Sequence, residues 1–434
     1  MNTTSSTLKK ENYIIPGLLL LLLAGIVLPG EATFVLGALL IFINILRTGK
    51  IVIGTHSSLW IFFVIWALGI IMDLYTHNHG SIHVYLRFTF YILSPVLYIY
   101  YGAIMNKTHS LRSILKTFYI AAGINVIYFI INFGMNISTL GISFNAVRAA
   151  RVTITLLVLF AVFIYLLYGM STKIINKKLD KIIFVSSLIC VFLSFLRSYL
   201  LFFFIGLFIY IIAYQQTGKV FKLVKIGFIP ALILLIVLFS NESLMKVTVE
   251  YVDMIARSAE EMSTESIWTL ENISSNWRGY EIYLAQNQFL KGNILQKVFG
   301  GGAMGIYVGD AARLVAQGTI GGYIPLLHNG FYGVLTYSGL AGLALFLYFY
   351  LEKFFYGIKH FMSHHDPAAV LLQITILGSM SITYVMTGPI SATGALYSSL
   401  AIGFLMKYLS RFSSSVRKPA AENTRELNSI GVKK

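Results

Sequence analysis

The sequence predicts an all-α polytopic membrane protein with about twelve transmembrane helices and one large extracytoplasmic loop containing amphipathic helices. Three observations lead there. Of the 434 residues, 57% are hydrophobic and only 12% charged, about half the charge of a soluble domain. The mean hydropathy is +0.76. Apolar runs long enough to span a bilayer recur from end to end, too continuous for barrel strands, and backbone groups in lipid must pair internally, which leaves a helical bundle.

The spans fall at 14–29, 32–46, 52–72, 84–105, 114–133, 152–169, 182–197, 199–214, 226–239, 327–351, 369–387 and 390–408. Lys9-Lys10 followed by Leu18 to Leu23 imitates a secretory leader. No small-x-small cleavage site follows and a second apolar run begins at once, so this reads as an uncleaved first span. Gly30-Glu31 and Gly388-Pro389 mark tight turns between neighbouring spans. The chain then divides into a bundle of about nine spans (1–239), a large loop (240–326), three further spans (327–408) and a basic tail (409–434).

Charge sets the expected orientation. The net charge of +16 comes mostly from Lys and Arg in the N-terminal tail, alternate connectors and the C-terminal tail, as the positive-inside rule requires. Nucleic acid is therefore not implied as a partner, whereas a bilayer is. Both termini are expected in the cytoplasm, with the long loop outside. Cys190 is alone, which excludes an intrachain disulfide or thiolate metal site.

The long loop, Ser240 to Asn329, divides by charge. Residues 242–271 hold seven acids and two bases, whereas 278–325 hold four bases and two acids. In the acidic half, Leu244, Val247, Tyr251, Val252, Ile255, Ala259 and Met262 recur at helical spacing and predict an amphipathic cover. A second helix is expected from about Trp277 to Leu290.

Candidate chemistry gathers at the outer boundary. Arg148, Arg151, Arg197, Arg278 and Arg313 stand where the topology rule disfavours basic residues. Snorkelling or a salt bridge explains any one of them, and Arg278 is spaced to pair with Glu281. Several together argue for an anionic ligand, and guanidinium forks match phosphate and diphosphate well. Arg87 is the main ionisable group within a span. His328 and Asn329 open span ten. A histidine there is a helix cap, a packed residue or a general base with a near-neutral pKa; Asn329 would orient it or touch substrate. Gly300-Gly301-Gly302-Ala303-Met304-Gly305 satisfies G-x-G-x-x-G without the βαβ context of a dinucleotide site, so it reads as a turn, with a phosphate nest as the functional alternative. His77, His79 and His83 with Asp73 match no defined metal-site spacing, and neither D-x-D nor H-E-x-x-H occurs. No metal or other cofactor is called for.

About a dozen spans, an arginine beside serine at an outer hairpin (Arg197-Ser198), and a late loop carry a further reading. The loop contains Asn276-Trp277-Arg278-Gly279-Tyr280-Glu281, a Gly-rich turn and a closing His328-Asn329, followed by Ser338-Gly339-Leu340-Ala341-Gly342. Together they resemble the bacterial O-antigen polymerase (Wzy-type) and O-antigen ligase superfamily. Here Leu196, and not serine, precedes Arg197.

The resemblance implies a metal-independent glycosyltransferase in the bacterial inner membrane that moves glycan from undecaprenyl diphosphate to a hydroxyl at the outer face. Arg197 and Arg278, with Arg148, Arg151 and Arg313 as further candidates, would hold the diphosphate. His328 would be the base, and Asn329 and Tyr280 substrate contacts. A polymerase would add glycan to a lipid-linked repeat unit and a ligase to lipid A-core; the loop around Trp277–Glu281 reads as polymerase-like. A flippase and a chain-length regulator of the same pathway would be partners. The alternative from another class is a transporter of lipid-linked sugar or polysaccharide, which should place ionisable groups deep in its spans.

Overall fold

A computed structural model describes residues 14–48, 57–76, 82–141, 143–194, 196–214, 242–256, 268–269, 271, 273, 276–307, 323–324, 327–385, 388–390 and 394–411. The helices in chain order are α1 (Pro16–Val27), α2 (Gly30–Thr48), α3 (Trp60–Tyr75), α4 (Ile82–Thr108), α5 (Leu111–Leu140), α6 (Phe144–Ala150), α7 (Leu157–Ile164), α8 (Lys177–Leu193) and α9 (Arg197–Tyr214). Then follow α10 (Glu242–Ala256), α11 (Trp277–Lys291), α12 (Ile294–Phe299), α13 (Gly330–His364), α14 (Pro367–Val385) and α15 (394–411). Among the described residues, six helices are long and apolar enough to cross a membrane: α2, α4, α5, α9, α13 and α14. α1, α3 and Leu157–Gly169 are shorter apolar helices. The chain is a helical, multi-pass membrane protein. The expected span at 226–239 lies outside the described residues.

Packing follows from small residues where helices cross. α4 and α15 meet at Gly102 and Gly403, where an added Cβ would collide with the backbone carbonyls of Leu400 and Ile99. Lipid tails are as apolar as leucine, so such close backbone approach, and not hydrophobicity, draws membrane helices together. α9 lies along α14, α14 along α13, and α13 along α3. Buried Phe62, Phe346, Phe349 and Tyr350 fill the α3–α13 seam, with Phe62 and Phe349 edge to face at 4.9 Å.

The expected span at 327–351 is longer and is broken. α13 runs to His364, so Lys353, read from the sequence as a connector residue, is buried inside the helix. Its ammonium donates to Ser58 Oγ at 2.5 Å and to Glu352 Oε2 at 2.6 Å. Near its start the helix breaks at Gly339 (φ 64°), a backbone state that glycine adopts without strain. Residues 340–364 then span about 37 Å at 1.5 Å per residue. The short segment Gly330–Ser338 is a separate helical piece ahead of the break.

The glycine-rich turn fills that break. A Cβ on Gly339 would strike the Val298 carbonyl oxygen, and one on Gly300 (φ 96°) the Tyr337 carbonyl oxygen, so two glycines let the backbones touch. Gly301 N–H donates to the Thr336 oxygen at 2.7 Å, and Ala303 N–H to the Gly69 oxygen at 3.0 Å. Buried Asp73 completes the lock by accepting from Met304 N–H at 3.2 Å and from the Tyr85 hydroxyl. The turn is thus a structural clasp between α3 and α13, and Asp73 belongs to it. His77 and His79 lie outside the described residues.

In the loop, the expected acidic cover forms a helix at Glu242–Ala256. Val247 of its apolar stripe is buried against Val147 of α6, while Val252 of the same stripe is exposed. Ala259 and Met262 lie outside the described residues. The second expected helix is α11, ending one residue beyond the expected Leu290. A two-residue antiparallel pairing, Ile306–Tyr307 with Tyr323–Ile324, lies beside it.

Candidate functional site

The loop folds around its own small core of Ile273, Tyr280, Ala285, Ile306, Ile324 and Leu327, with Trp268, Trp277, Tyr283, Leu284 and Tyr332 packed on it. This core fixes α11 against the start of α13. Asn276 Oδ1 caps α11 by accepting from Gly279 N–H at 3.0 Å. Gln286 donates to the Tyr332 hydroxyl at 2.9 Å and ties the same two helices together. Asn329 caps α13, its Oδ1 accepting from Phe331 and Tyr332 N–H at 3.1 and 3.2 Å. Among the described residues, the Nδ2 of that same buried side chain has no hydrogen-bond partner.

Glu281, one turn into α11, is 2% exposed. An isolated carboxylate cannot be buried so deeply without donors, and here it has several. Trp277 Nε1–H donates to Oε1 at 2.7 Å, and His328 N–H to Oε2 at 2.8 Å. His328 Nδ1 lies 3.0 Å from Oε1 and 3.1 Å from Oε2. Backbone and ring of the histidine are therefore gripped together. A carboxylate accepts only, so Nδ1 carries the proton in neutral histidine and Nε2 keeps its lone pair. The His328 side chain is 46% exposed, so that nitrogen belongs to a ring within reach of a substrate.

Of the residues predicted from sequence, the loop module holds four: Arg278, Tyr280, His328 and Asn329. Arg278 sits half-buried in the first turn of α11, one turn from Glu281. Sequence spacing suggested Glu281 as its partner; the carboxylate is engaged by His328 and Trp277. Tyr280 is buried in the loop core, its ring 5.1 Å from Trp268 and 5.8 Å from Trp277. Burial pushes its phenol up, and neighbouring Tyr283 adds to the effect.

The bundle positions the other arginines. Arg151 opens a 3-10 turn after α6, and Arg197 opens α9. Buried Asn125 of α5 holds the chain just beyond Arg151: its Nδ2 donates to the Thr153 oxygen at 2.7 Å, and its Oδ1 accepts from Thr155 N–H at 3.0 Å. Arg151, together with Leu196 and Ser198 on either side of Arg197, lines a cavity of about 750 Å³. Arg148 lies on α6, and Arg313 falls outside the described residues.

Sequence reasoning missed Glu281 as the group that orients His328, and Trp277 as its further donor. The available signal was a carboxylate at the head of an otherwise basic half-loop. Chemically, a module that holds a histidine in one tautomer and carries an arginine in the first turn of α11 suits proton removal from a hydroxyl near an anionic group.

Residues 182–347 match the family model described as O-antigen ligase. The matched stretch contains Arg197, Arg278, Glu281 and His328 and bears out the resemblance seen in the sequence. No curated protein matches the chain.

Proposed function

From the match of residues 182–347 to the family model described as O-antigen ligase, we propose that this protein is a polysaccharide polymerase of the bacterial inner membrane. It transfers glycan from undecaprenyl diphosphate to a hydroxyl of a lipid-linked repeat unit at the outer face. The observation that carries the reading is the Glu281–His328 clamp, which aims a base from the end of the loop expected outside. The acceptor hydroxyl gives its proton to His328 Nε2 as its oxygen bonds to the anomeric carbon. The bond from that carbon to the diphosphate oxygen breaks, and undecaprenyl diphosphate leaves with the electron pair. Arg278, with Arg197 and Arg151 from the bundle, balances the charge on the leaving group. Glu281 stands where it neutralises the imidazolium formed on proton uptake. Asn329 acts by fixing the start of α13 beside the histidine.

A clamped base has no use in a carrier, which favours an enzyme over a transporter of lipid-linked sugar. The reading as a ligase that delivers glycan to lipid A-core is supported by the description of the matched family. Both termini lie in the cytoplasm in this reading, and a flippase and chain-length regulator work beside the enzyme.

His328→Ala is expected to lower transfer by about 10²- to 10⁴-fold, the usual contribution of a general base, with membrane insertion unchanged. Polymer of normal length and yield from such cells sinks the proposal. Purified protein given only lipid-linked repeat units distinguishes the acceptors. Chain growth marks a polymerase, and growth that waits for lipid A-core marks a ligase.

A further inference from the structure

The corner between α11 and α12 carries an apolar surface that the His328 module does not use. Leu290 in the last turn of α11 is 67% exposed, and Ile294 at the start of α12 is 77% exposed. Leu295 and Phe299, one turn apart on α12, are exposed as well. Lys291 and Lys297 stand among them, and no acidic residue occurs between Glu281 and Asp310. Large apolar side chains gathered this closely are disfavoured in water, so such a patch marks an interaction surface.

The glycine-rich clasp fixes where this corner sits. Gly302, just past α12, lies against the backbone of Asp73 in the last turn of α3, and the Val298 carbonyl of α12 lies against Gly339. Both partners are apolar helices of the membrane bundle. Beside these contacts, Ile71, Leu74 and Tyr75 of α3 and Leu340 of α13 are exposed, which on membrane helices means that they face lipid. Leu340 opens the long part of α13, about 37 Å at 1.5 Å per residue, enough to cross the hydrocarbon core. α12 is therefore held at the edge of that core, beside the lipid-facing ends of two helices.

We propose that this corner is a bilayer anchor. Leu290, Ile294, Leu295 and Phe299 enter the leaflet on the loop's side, and Lys291 and Lys297 meet anionic phospholipid head groups. Interfacial elements combine an apolar surface with lysines whose stems lie along it while their charged ends reach the head groups. A stretch without carboxylates carries nothing that an anionic surface repels. A protein partner would have to reach the hydrocarbon edge to cover the same patch, whereas lipid is already there. The anchor sets a height. Glu281 lies nine positions before Leu290, about 14 Å along α11 at 1.5 Å per residue, so a fixed corner fixes how far the histidine clamp stands from the bilayer. The proposal is independent of which glycan reaction the module performs.

The test is fluorescence quenching in the full-length protein reconstituted into nanodiscs. Buried Cys190 is replaced by alanine, and an NBD label is attached through Ile294→Cys or Leu295→Cys. Phe208→Cys within α9 and Lys178→Cys at the head of α8 serve as lipid and water references. Doxyl-labelled phosphatidylglycerol should quench both corner labels strongly, as it does the Phe208 label, and the Lys178 label least. Aqueous iodide should order them the other way. Doxyl-labelled phosphatidylcholine should show about fivefold lower apparent affinity for the corner, the usual worth of one lysine near an anionic surface. Lys291→Gln/Lys297→Gln should erase that preference. Corner labels quenched by iodide and spared by lipid overturn the anchor, and the two label positions keep the test open if one variant does not fold. A preference for phosphatidylglycerol retained in the double lysine variant overturns the head-group part. Protection from both quenchers, with disulfide formation between copies through Leu295→Cys, overturns the lipid assignment in favour of a second copy.

Discussion

Glu281 and Glu31 each stand against a basic side chain, the first buried and saturated with donors, the second over a third exposed and loosely paired. Glu281 receives Trp277 Nε1–H, His328 N–H and His328 Nδ1–H, all within 3.1 Å. Glu31 meets Arg87 at 3.9 Å, beside a cavity. A buried carboxylate with several charge-assisted or neutral donors is costly to disturb, because removing a partner strands a buried charge. An exposed ion pair at 3.9 Å contributes about 0–1 kcal/mol. The stiff pair suits a base that must be aimed before substrate arrives.

The largest effect should come from breaking the stiff pair. Glu281→Ala removes the acceptor for the backbone and ring of His328 together. Transfer is expected to fall at least about 100-fold, approaching the loss of the base itself. Glu281→Gln keeps an oxygen that can accept from Nδ1–H but loses the charge. It should lower kcat about tenfold, or ~1.4 kcal/mol, with KM for the lipid-linked substrate unchanged. A merely structural carboxylate would instead reduce the yield of folded enzyme at unchanged kcat. That outcome in steady-state kinetics would remove Glu281 from the site.

The loose pair predicts a smaller response. Glu31→Gln deletes the carboxylate that faces Arg87 at 3.9 Å and should leave glycan transfer within about threefold of the unmodified enzyme, under ~0.7 kcal/mol. Thermal stability should change little, as expected for an exposed pair. Transfer lowered tenfold or more would mean that the exposed pair is as demanding as the buried one, and the contrast between the two pairs would fail.

How far these two regions were legible in sequence follows from what each depends on. The bundle was legible because apolar run length reports a span directly. His328 and Arg278 were nominated from residue type and position in the late loop, and the structure brings both onto the loop module. The clamp was not, since Glu281 and His328 are 47 positions apart and only the loop core brings them together. Arg87 and Glu31 join through the packing of α2 on α4, which no periodicity encodes. The break at Gly339 was hidden for a related reason. Glycine within an apolar run reads as a small packing residue, and only the docked backbone of Val298 and Gly300 demands its positive φ. Lys353 misled because a lysine two positions past the expected end of a span resembles a flanking charge, whereas Ser58 and Glu352 satisfy it within the bundle.

Tyrosines give the finest test of the same contrast. Tyr280 belongs to the stiff region, with its ring packed among Trp268, Trp277 and Tyr283. Tyr91 belongs to the loose one, with its hydroxyl on Arg87 Nε. If the ring of Tyr280 serves packing, Tyr280→Phe keeps that ring and should change transfer by less than about threefold, under ~0.7 kcal/mol. A hydroxyl that touched the sugar would be missed more sharply, since a site built to hydrogen-bond a substrate group is left with an unpaired partner. A tenfold loss of transfer in Tyr280→Phe, with the loop still folded by protease resistance, would therefore return Tyr280 from the scaffold to the substrate. Tyr91→Phe provides the reference. It frees the guanidinium from its Nε tether and should likewise change transfer by less than about threefold while the fold is retained, under ~0.7 kcal/mol.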